Sequence, residues 1–362
     1  MIDQIRIQNF KCIQDATLDL CPLTVLIGPN DSGKTSLLES IRLLEKFVTQ
    51  EELPREQIER QVYRLQSKRV LRWRIVGSAR SQPLTVNLSM PASGGQGFIE
   101  WNIADHENDS SLGIDRQLEL AACRELTARY WESSGIYKFE PPKLRWPHAP
   151  DDTELSKTGD NLAAVLDAMM TGDDREGFLA LEATLRRECP TLRGISLRVG
   201  RAFRSLGDDE MPERIAQKSI EFLLAGEGKV RVPASDVSDG VMLLTAYLAL
   251  AYSNTPDLIL LEEPENGLHP SRLQMIMTLL RKITTGEIGN RPRQILLTTH
   301  SPLLLNFCRK EEVRIVRRNA EGDTTIAKME QAPNIDKLLH EFAIGELWYL
   351  LGEEGILKGE RP

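Results

Sequence analysis

Apolar positions change their period repeatedly along the chain, and each change predicts a different element. Ile2, Ile5 and Ile7, then Ile13, Ala16, Leu18 and Leu20, are spaced as two short strands joined near Asn9-Phe10-Lys11. Leu23-Thr24-Val25-Leu26-Ile27 is apolar almost throughout and predicts a buried third strand, after which Ser36–Phe47 takes up helical spacing. A basic, helix-like stretch runs to residue 69. Val70–Val76, Leu84–Met90 and Phe98–Ile103 then alternate as strands between turn-rich breaks, predicting a small antiparallel sheet. Residues 104–158 carry little pattern beyond an acidic loop at Asp105–Asp109, a helix after Asp115 and irregular backbone around Pro141, Pro142, Pro147 and Pro150. Helices are expected at Asn161–Met170 and Glu176–Arg187, a strand near Ile195–Val199, and a hairpin of Lys218–Leu224 with Lys229–Val232. From Ser235 onward the pattern alternates: helix Val241–Tyr252, strand Asp257–Leu261, helix Ser271–Thr285, strand Gln294–Thr299, helix Pro302–Phe307, strand Val313–Arg317. Strands alternating with helices predict a parallel sheet, so the fold class is α/β.

The break between the third strand and the first helix reads Gly28-Pro29-Asn30-Asp31-Ser32-Gly33-Lys34-Thr35 and fits G-x-x-x-x-G-K-[ST]. Glycines let successive backbone N–H groups turn toward phosphate oxygens, and the new helix adds the positive end of its dipole. Asn30, Asp31, Ser32, Gly33, Lys34, Thr35 and Ser36 are therefore candidate nucleotide-binding residues. Lys34 is expected to reach the β- and γ-phosphates, and the Thr35 hydroxyl to hold Mg²⁺.

A second landmark is Leu258-Ile259-Leu260-Leu261-Glu262-Glu263-Pro264, where two carboxylates follow four apolar residues. In open α/β sheets ligands bind where such strands end. Glu262 suits Mg²⁺ support, and Glu263 suits orienting and deprotonating an attacking water; the plainer alternative is the start of a solvated loop. Val237-Ser238-Asp239-Gly240-Val241 precedes a helix and reads either as a cap or as a second anion site. Thr298-Thr299-His300-Ser301-Pro302 puts a histidine at a strand end, in a structural or a chemical role.

Composition narrows the class. The 362 residues, 41% hydrophobic and 27% charged, suit a soluble protein of about two domains, or one large domain with an insertion. A net charge of −8 confines any nucleic-acid contact to a local basic patch. Five scattered cysteines, Cys12, Cys21, Cys123, Cys189 and Cys308, form no C-x-x-C pair and suit free thiols in a cytoplasmic protein. The N-terminus does not read as a signal peptide, and the apolar run Val241–Tyr252 is too short to span a bilayer, so no membrane association is expected.

The order Gly28–Thr35, Ser238-Asp239-Gly240, Leu258–Glu263, His300 resembles the ABC-type ATPases, in which these are the Walker A, signature, Walker B and switch-histidine motifs. Asn9-Phe10-Lys11, the long insertion between Walker A and signature, and Glu263-Pro264-Glu265-Asn266-Gly267-Leu268-His269-Pro270 look like the SMC/RecF/OLD branch. The resemblance implies a P-loop NTPase of ABC type, with a mixed sheet, an N-terminal antiparallel portion and an α-helical insertion. It divides the chain into 1–47 and 235–330 as the ATPase core, 48–234 as insertion, and 331–362 as a tail. It also implies a homodimer closed by ATP, in which Ser238 and Gly240 of one copy touch the γ-phosphate held by Gly33, Lys34 and Thr35 of the other. Glu263, His300 and Lys34 would be catalytic, Thr35 and Glu262 would bind Mg²⁺, and Asn9 and Lys11 would support the nucleotide. Pro264–His269 would lie at the dimer contact. The chain departs from the pattern in carrying Glu262 in place of the Walker B aspartate and Val-Ser-Asp-Gly-Val as signature. Gln66, Gln82 and Gln96 are the candidates for the glutamine loop.

The insertion is too short and too rich in proline and glycine for a coiled-coil arm. No appended nuclease domain is expected after His300, which leaves effector chemistry to a separately encoded nuclease or other partner. The apolar tail Phe342–Leu350 either docks that partner or packs on its own core. Arg55, Arg60, Arg64, Lys68, Arg69, Arg72 and Arg74 either line a double-stranded DNA surface or pair with nearby glutamates; Arg186, Arg187, Arg193, Arg198, Arg201 and Arg204 form a second candidate. The expected function is ATP hydrolysis serving DNA repair or anti-phage defence. The alternatives are a nucleotide-gated scaffold and, with less support, a transporter ATPase subunit.

Overall fold

A computed structural model describes residues 1–48, 55–65, 69–79, 82–92, 98–103, 129–130, 135–149, 153–172, 175–204, 213–226, 230–253 and 255–362. Its strands in chain order are β1 (Ile2–Phe10), β2 (Ile13–Asp19), β3 (Leu23–Ile27), β4 (Val70–Ala79), β5 (Gln82–Pro91), β6 (Phe98–Ile103), β7 (Ile136–Tyr137), β8 (Leu192–Arg204), β9 (Glu213–Leu224), β10 (Arg231–Pro233), β11 (Leu258–Glu262), β12 (Gln294–Thr299), β13 (Val313–Arg318) and β14 (Thr324–Lys328). The chain divides into two compact units, one of Met1–Ile136, Pro256–Glu263 and Arg293–Pro362, the other of Tyr137–Thr255 and Pro264–Pro292.

In the first unit the antiparallel sheet has the order β2-β1-β4-β5-β6. The alternating strands after the first helix therefore do not stand apart. Strand β1 has a second edge, and β4 covers it with Ile5 opposite Ile75 and Ile7 opposite Trp73. The inward residues Ile5, Ile7, Ile13, Leu18 and Trp73 share one core with Leu37, Leu38 and Ile41 of helix α1 (Lys34–Arg42). Burying each such aliphatic side chain contributes about 1.5–3 kcal/mol, which fixes α1 against this sheet.

Strand β3 belongs to the other sheet, ordered β14-β13-β3-β12-β11-β7. Its neighbours β12 and β13 run parallel to it, β11 runs parallel to β12, and β14 is antiparallel at the edge. All five residues of β3 and all six of β12 are buried, as a sheet covered on both faces requires. The mixed α/β architecture thus combines a parallel sheet with an antiparallel N-terminal portion. Near the C-terminus, helix Ile344–Lys358 buries Ile344, Leu347 and Ile356, and the Gly345 N–H donates to Asn306 Oδ1 at 2.8 Å. This face of the tail packs on its own unit, while Tyr349 and Leu350 remain exposed.

The second unit holds helices Leu162–Thr171, Arg175–Glu188, Asp239–Tyr252 and Leu273–Thr285 and a three-stranded sheet of order β10-β9-β8. Every residue from Met242 to Tyr252 is buried, so this helix is apolar on all sides because it is central. The predicted hairpin of β9 with β10 is present, and β8 and β9 form a longer one. The helix expected after Asp115 lies outside the described residues. Among the described residues no helix is long and apolar enough to cross a membrane.

Candidate nucleotide site

The site of the first unit is built on three parallel strands whose C-terminal ends lie level. Glu262 of β11 sits opposite Thr298 of β12, and Thr298 and Thr299 sit opposite Leu26 and Ile27 of β3. The next residues of each strand are therefore Glu263, His300 and Gly28, brought to one edge of the sheet by topology alone.

Gly28–Thr35 links β3 to α1. A Cβ on Gly28 would lie 2.0 Å from the Val316 carbonyl oxygen, so the loop passes too close to β13 for any side chain. Gly33, with φ of 106°, caps α1 in the left-handed region that glycine alone enters freely. Pro29, Asn30, Asp31 and Thr35 are exposed, Ser36 is half-buried, and Ser32, Gly33 and Lys34 are buried. The loop thus presents its middle and the Thr35 side chain outward.

Lys34 is held beneath. Its ammonium donates to the carbonyls of Gly28 at 2.8 Å and Pro29 at 2.7 Å, and to Ser32 Oγ at 3.3 Å. Burial pulls its pKa down to about 8, against the opposing pull of the Glu263 and Asp31 carboxylates. A cation desolvated in this way gains from an incoming polyanion.

Glu263 has a φ of 49°, a costly conformation for a residue with a Cβ. Its N–H donates to the Thr298 carbonyl at 3.0 Å, which continues the β11–β12 ladder one step past the strand and fixes the turn. Glu263 Oε1 lies 3.8 Å from His300 Nε2. Glu262 is half-buried at the end of β11. The exposed Thr35 and the two half-buried carboxylates supply hard oxygen donors at the edge above the buried Lys34 ammonium, a donor set that fits Mg²⁺ with a triphosphate.

Residues absent from any motif support the loop. Arg318 Nε donates to the Asp31 carbonyl, and Thr324 Oγ1 donates to the Ser32 carbonyl at 3.0 Å. Both come from the β13–β14 hairpin, some 290 positions away, and no local pattern could have marked them. Lys11 is taken up by an ion pair with Glu39 of α1, while Asn9 Nδ2 donates to Val70 O at 2.8 Å and Asn9 Oδ1 accepts from Arg69 at 3.1 Å. These residues brace the elements around the loop.

The remaining predicted residues belong to the second unit. Ser238 precedes helix Asp239–Tyr252; its carbonyl accepts from the N–H groups of Val241 and Met242, and its exposed side chain makes no cap bond. Gly240 is half-buried in the first turn. Arg145 bonds the carbonyls of Ala234 and Val237 and the Asp239 carboxylate. In Pro264–His269, the buried Tyr247 hydroxyl donates to the Pro264 carbonyl at 3.2 Å, and burial, with Glu265 nearby, drives this phenol far above its usual pKa.

Of the basic groups, Arg64 is engaged by Asp323 and the Glu321 carbonyl, and Arg198 and Arg231 flank Glu221. The side chains of Arg55, Lys68, Arg201 and Arg204, and of Gln66, Gln82 and Gln96, lie outside the described residues.

Known proteins bear on this geometry. Residues 110–306 match the AAA domain family model, whose description names an AbiEii toxin of a type IV toxin–antitoxin system, and residues 1–73 match an AAA ATPase domain model. An OLD nuclease of Thermus scotoductus is 21% identical over 95% of this chain and 68% of its own length. An ATP/GTP phosphatase of Helicobacter pylori is 20% identical over 83% of this chain and 85% of its own. Among solved structures, the SMC head domain of Thermotoga maritima covers 91% of this chain with a TM-score of 0.52 at 13% identity, with 98% of that head matched. An SMC head bound to the C-terminal winged-helix domain of ScpA covers 90% with a TM-score of 0.56 at 13% identity, with 97% of it matched. Both share the fold.

Proposed function

Because this chain belongs to the AAA domain family, we propose that it is an ATPase of the ABC type, akin to OLD proteins and SMC heads, and that it binds and hydrolyses ATP at the edge formed by Gly28–Thr35, Glu263 and His300. The observation that carries this reading is the level ending of β3, β12 and β11, which gathers a buried ammonium, a carboxylate and an imidazole. Lys34 exchanges its loop carbonyls for phosphate oxygens. Glu263 takes the proton of the attacking water, and His300 orients that water or the terminal phosphate from the neighbouring strand end. Thr35 and Glu262 would hold Mg²⁺, which when bound neutralises charge on the phosphates.

Two copies close head-to-tail in this reading, each offering Ser238 and Gly240 to the nucleotide on the other. The exposed, uncapped Ser238 side chain supports it. The OLD nuclease relative and the toxin–antitoxin wording of the family description support a role in DNA repair or anti-phage defence beside a separate effector. An SMC head bound to ScpA offers a precedent for a partner protein docked on this fold. Duplex DNA binding that weakens steeply with salt would support a nucleic-acid role.

A second reading, a nucleotide-gated scaffold with negligible turnover, is favoured by one observation: Glu262 is a methylene longer than the Walker B aspartate it replaces. Phosphate release by the wild type and by Glu263→Gln separates the two. A wild-type rate about 100-fold or more above the variant supports the ATPase, and equal, near-zero rates leave the scaffold.

A further inference from the structure

The turn around Ser238 in the second unit is gripped by the side chain of Arg145. Arg145 ends a short 3-10 turn, Lys143–Arg145, that follows Pro141-Pro142. From there its guanidinium reaches the other side of the unit's sequence. Nη1 donates to the Pro141 carbonyl at 2.7 Å, Nε to the Ala234 carbonyl at 2.9 Å, and Nη2 to the Val237 carbonyl at 2.8 Å and to Asp239 Oδ1 at 2.6 Å. The first contact anchors the arginine to its own turn. The others grip the residues before and after Ser238.

Ser238 itself is left alone by this grip. Its φ and ψ are −64° and 151°, extended just ahead of the helix, and its side chain makes no cap bond. Fixing Val237 and Asp239 therefore fixes the backbone of Ser238 while leaving its hydroxyl to a ligand.

Charge points the same way. Asp239 opens a 14-residue helix whose dipole favours anions, yet its own carboxylate beside the turn repels a phosphate. The pair with Arg145 offsets that repulsion. The arginine is only 18% exposed and the aspartate 48%, so the cation lies beneath and the carboxylate is drawn toward it. A planar fork of five donors suits this task, because three carbonyls and one carboxylate are met with no rotation between bonds. Lysine has the charge without the fork.

We propose that Arg145 is a positioning residue that pre-shapes the Ser238 turn and neutralises Asp239, so that the turn accepts the terminal phosphate of ATP held by a second copy of this chain. The proposal rests on the head-to-tail reading above and adds to it the residue that makes the turn competent. Arg145 belongs to no motif, and its bonds run to the turn residues themselves.

The experiment compares the wild-type chain, Arg145→Ala, Arg145→Lys and Arg145→Ala/Asp239→Asn. Readouts are affinity for a fluorescent ATP analogue, ATP-dependent mass in solution, the kcat and KM of phosphate release, and melting temperature. Arg145→Ala should bind the analogue as the wild type does, because Lys34 is untouched, yet lose ATP-dependent mass doubling and about 100-fold in kcat. Arg145→Lys, should the alanine variant fail to fold, keeps the charge and is expected to lose about tenfold in kcat with unchanged analogue affinity. Removing the carboxylate in the double variant should recover part of the loss. The proposal is overturned if a folded Arg145→Ala or Arg145→Lys dimerises and turns over like the wild type, or if analogue affinity falls in step with kcat. If the wild type itself neither dimerises nor releases phosphate, the functional reading fails and this proposal goes with it.

Discussion

Glu263 Oε1 and His300 Nε2 face each other across 3.8 Å at the ends of adjacent parallel strands. That separation is too long for a direct hydrogen bond, and in the proposed reaction both groups act on one attacking water. If they act as a unit, their losses do not add. Glu263→Gln should lower phosphate release about 100-fold or more, and His300→Ala about tenfold. The double variant should match Glu263→Gln alone. A double-mutant cycle on kcat measures this, and full additivity would show independent roles.

Lys34 carries a pKa brought down to about 8 by burial. A bound triphosphate stabilises the ammonium and raises that value, so binding favours the protonated form. Below pH 8 the lysine is already charged and affinity is flat. Above it, affinity should fall by about tenfold per pH unit, with about one proton taken up per ATP. Calorimetry at pH 9 in buffers of different ionisation enthalpy reads the proton directly.

Gly28 and Gly33 are held by opposite faults. A Cβ at Gly28 meets the Val316 backbone at 2.0 Å, whereas at Gly33 it meets Thr324 Oγ1 at 2.2 Å with a φ of 106°. Gly33→Ala should cost about 1–3 kcal/mol of stability from backbone strain alone, and Gly28→Ala should cost more, because a carbonyl cannot swing away. Urea melts of both variants provide the comparison.

Thr324 donates to the Ser32 carbonyl at 3.0 Å and so supports the loop from β14. Thr324→Val keeps the shape and removes one hydrogen bond. A loss of about 1 kcal/mol, near fivefold in ATP affinity, is expected by titration.

Much of the site was legible because its chemistry is local. Gly28–Thr35 lies within eight consecutive residues, and Glu263 and His300 each follow an apolar strand. Helix Asp239–Tyr252 and strands β11, β12 and β13 were readable within two residues for the same reason: period and burial are written in neighbouring positions. Long-range pairing was not readable. Nothing near Trp73 tells that β4 will cover β1, and nothing near Thr324 tells that β14 will brace the Gly28–Thr35 loop. Arg145 looks like one more surface arginine among prolines until Val237 and Asp239 are folded against it.

The account turns on whether ATP joins two copies of this chain, and the most direct measurement is the solution mass of Glu263→Gln with and without ATP and Mg²⁺. A shift with nucleotide from the 40.8 kDa chain to twice that mass is predicted, with no shift when Lys34→Ala is added. A variant that binds ATP to saturation and stays at the mass of one chain would contradict it.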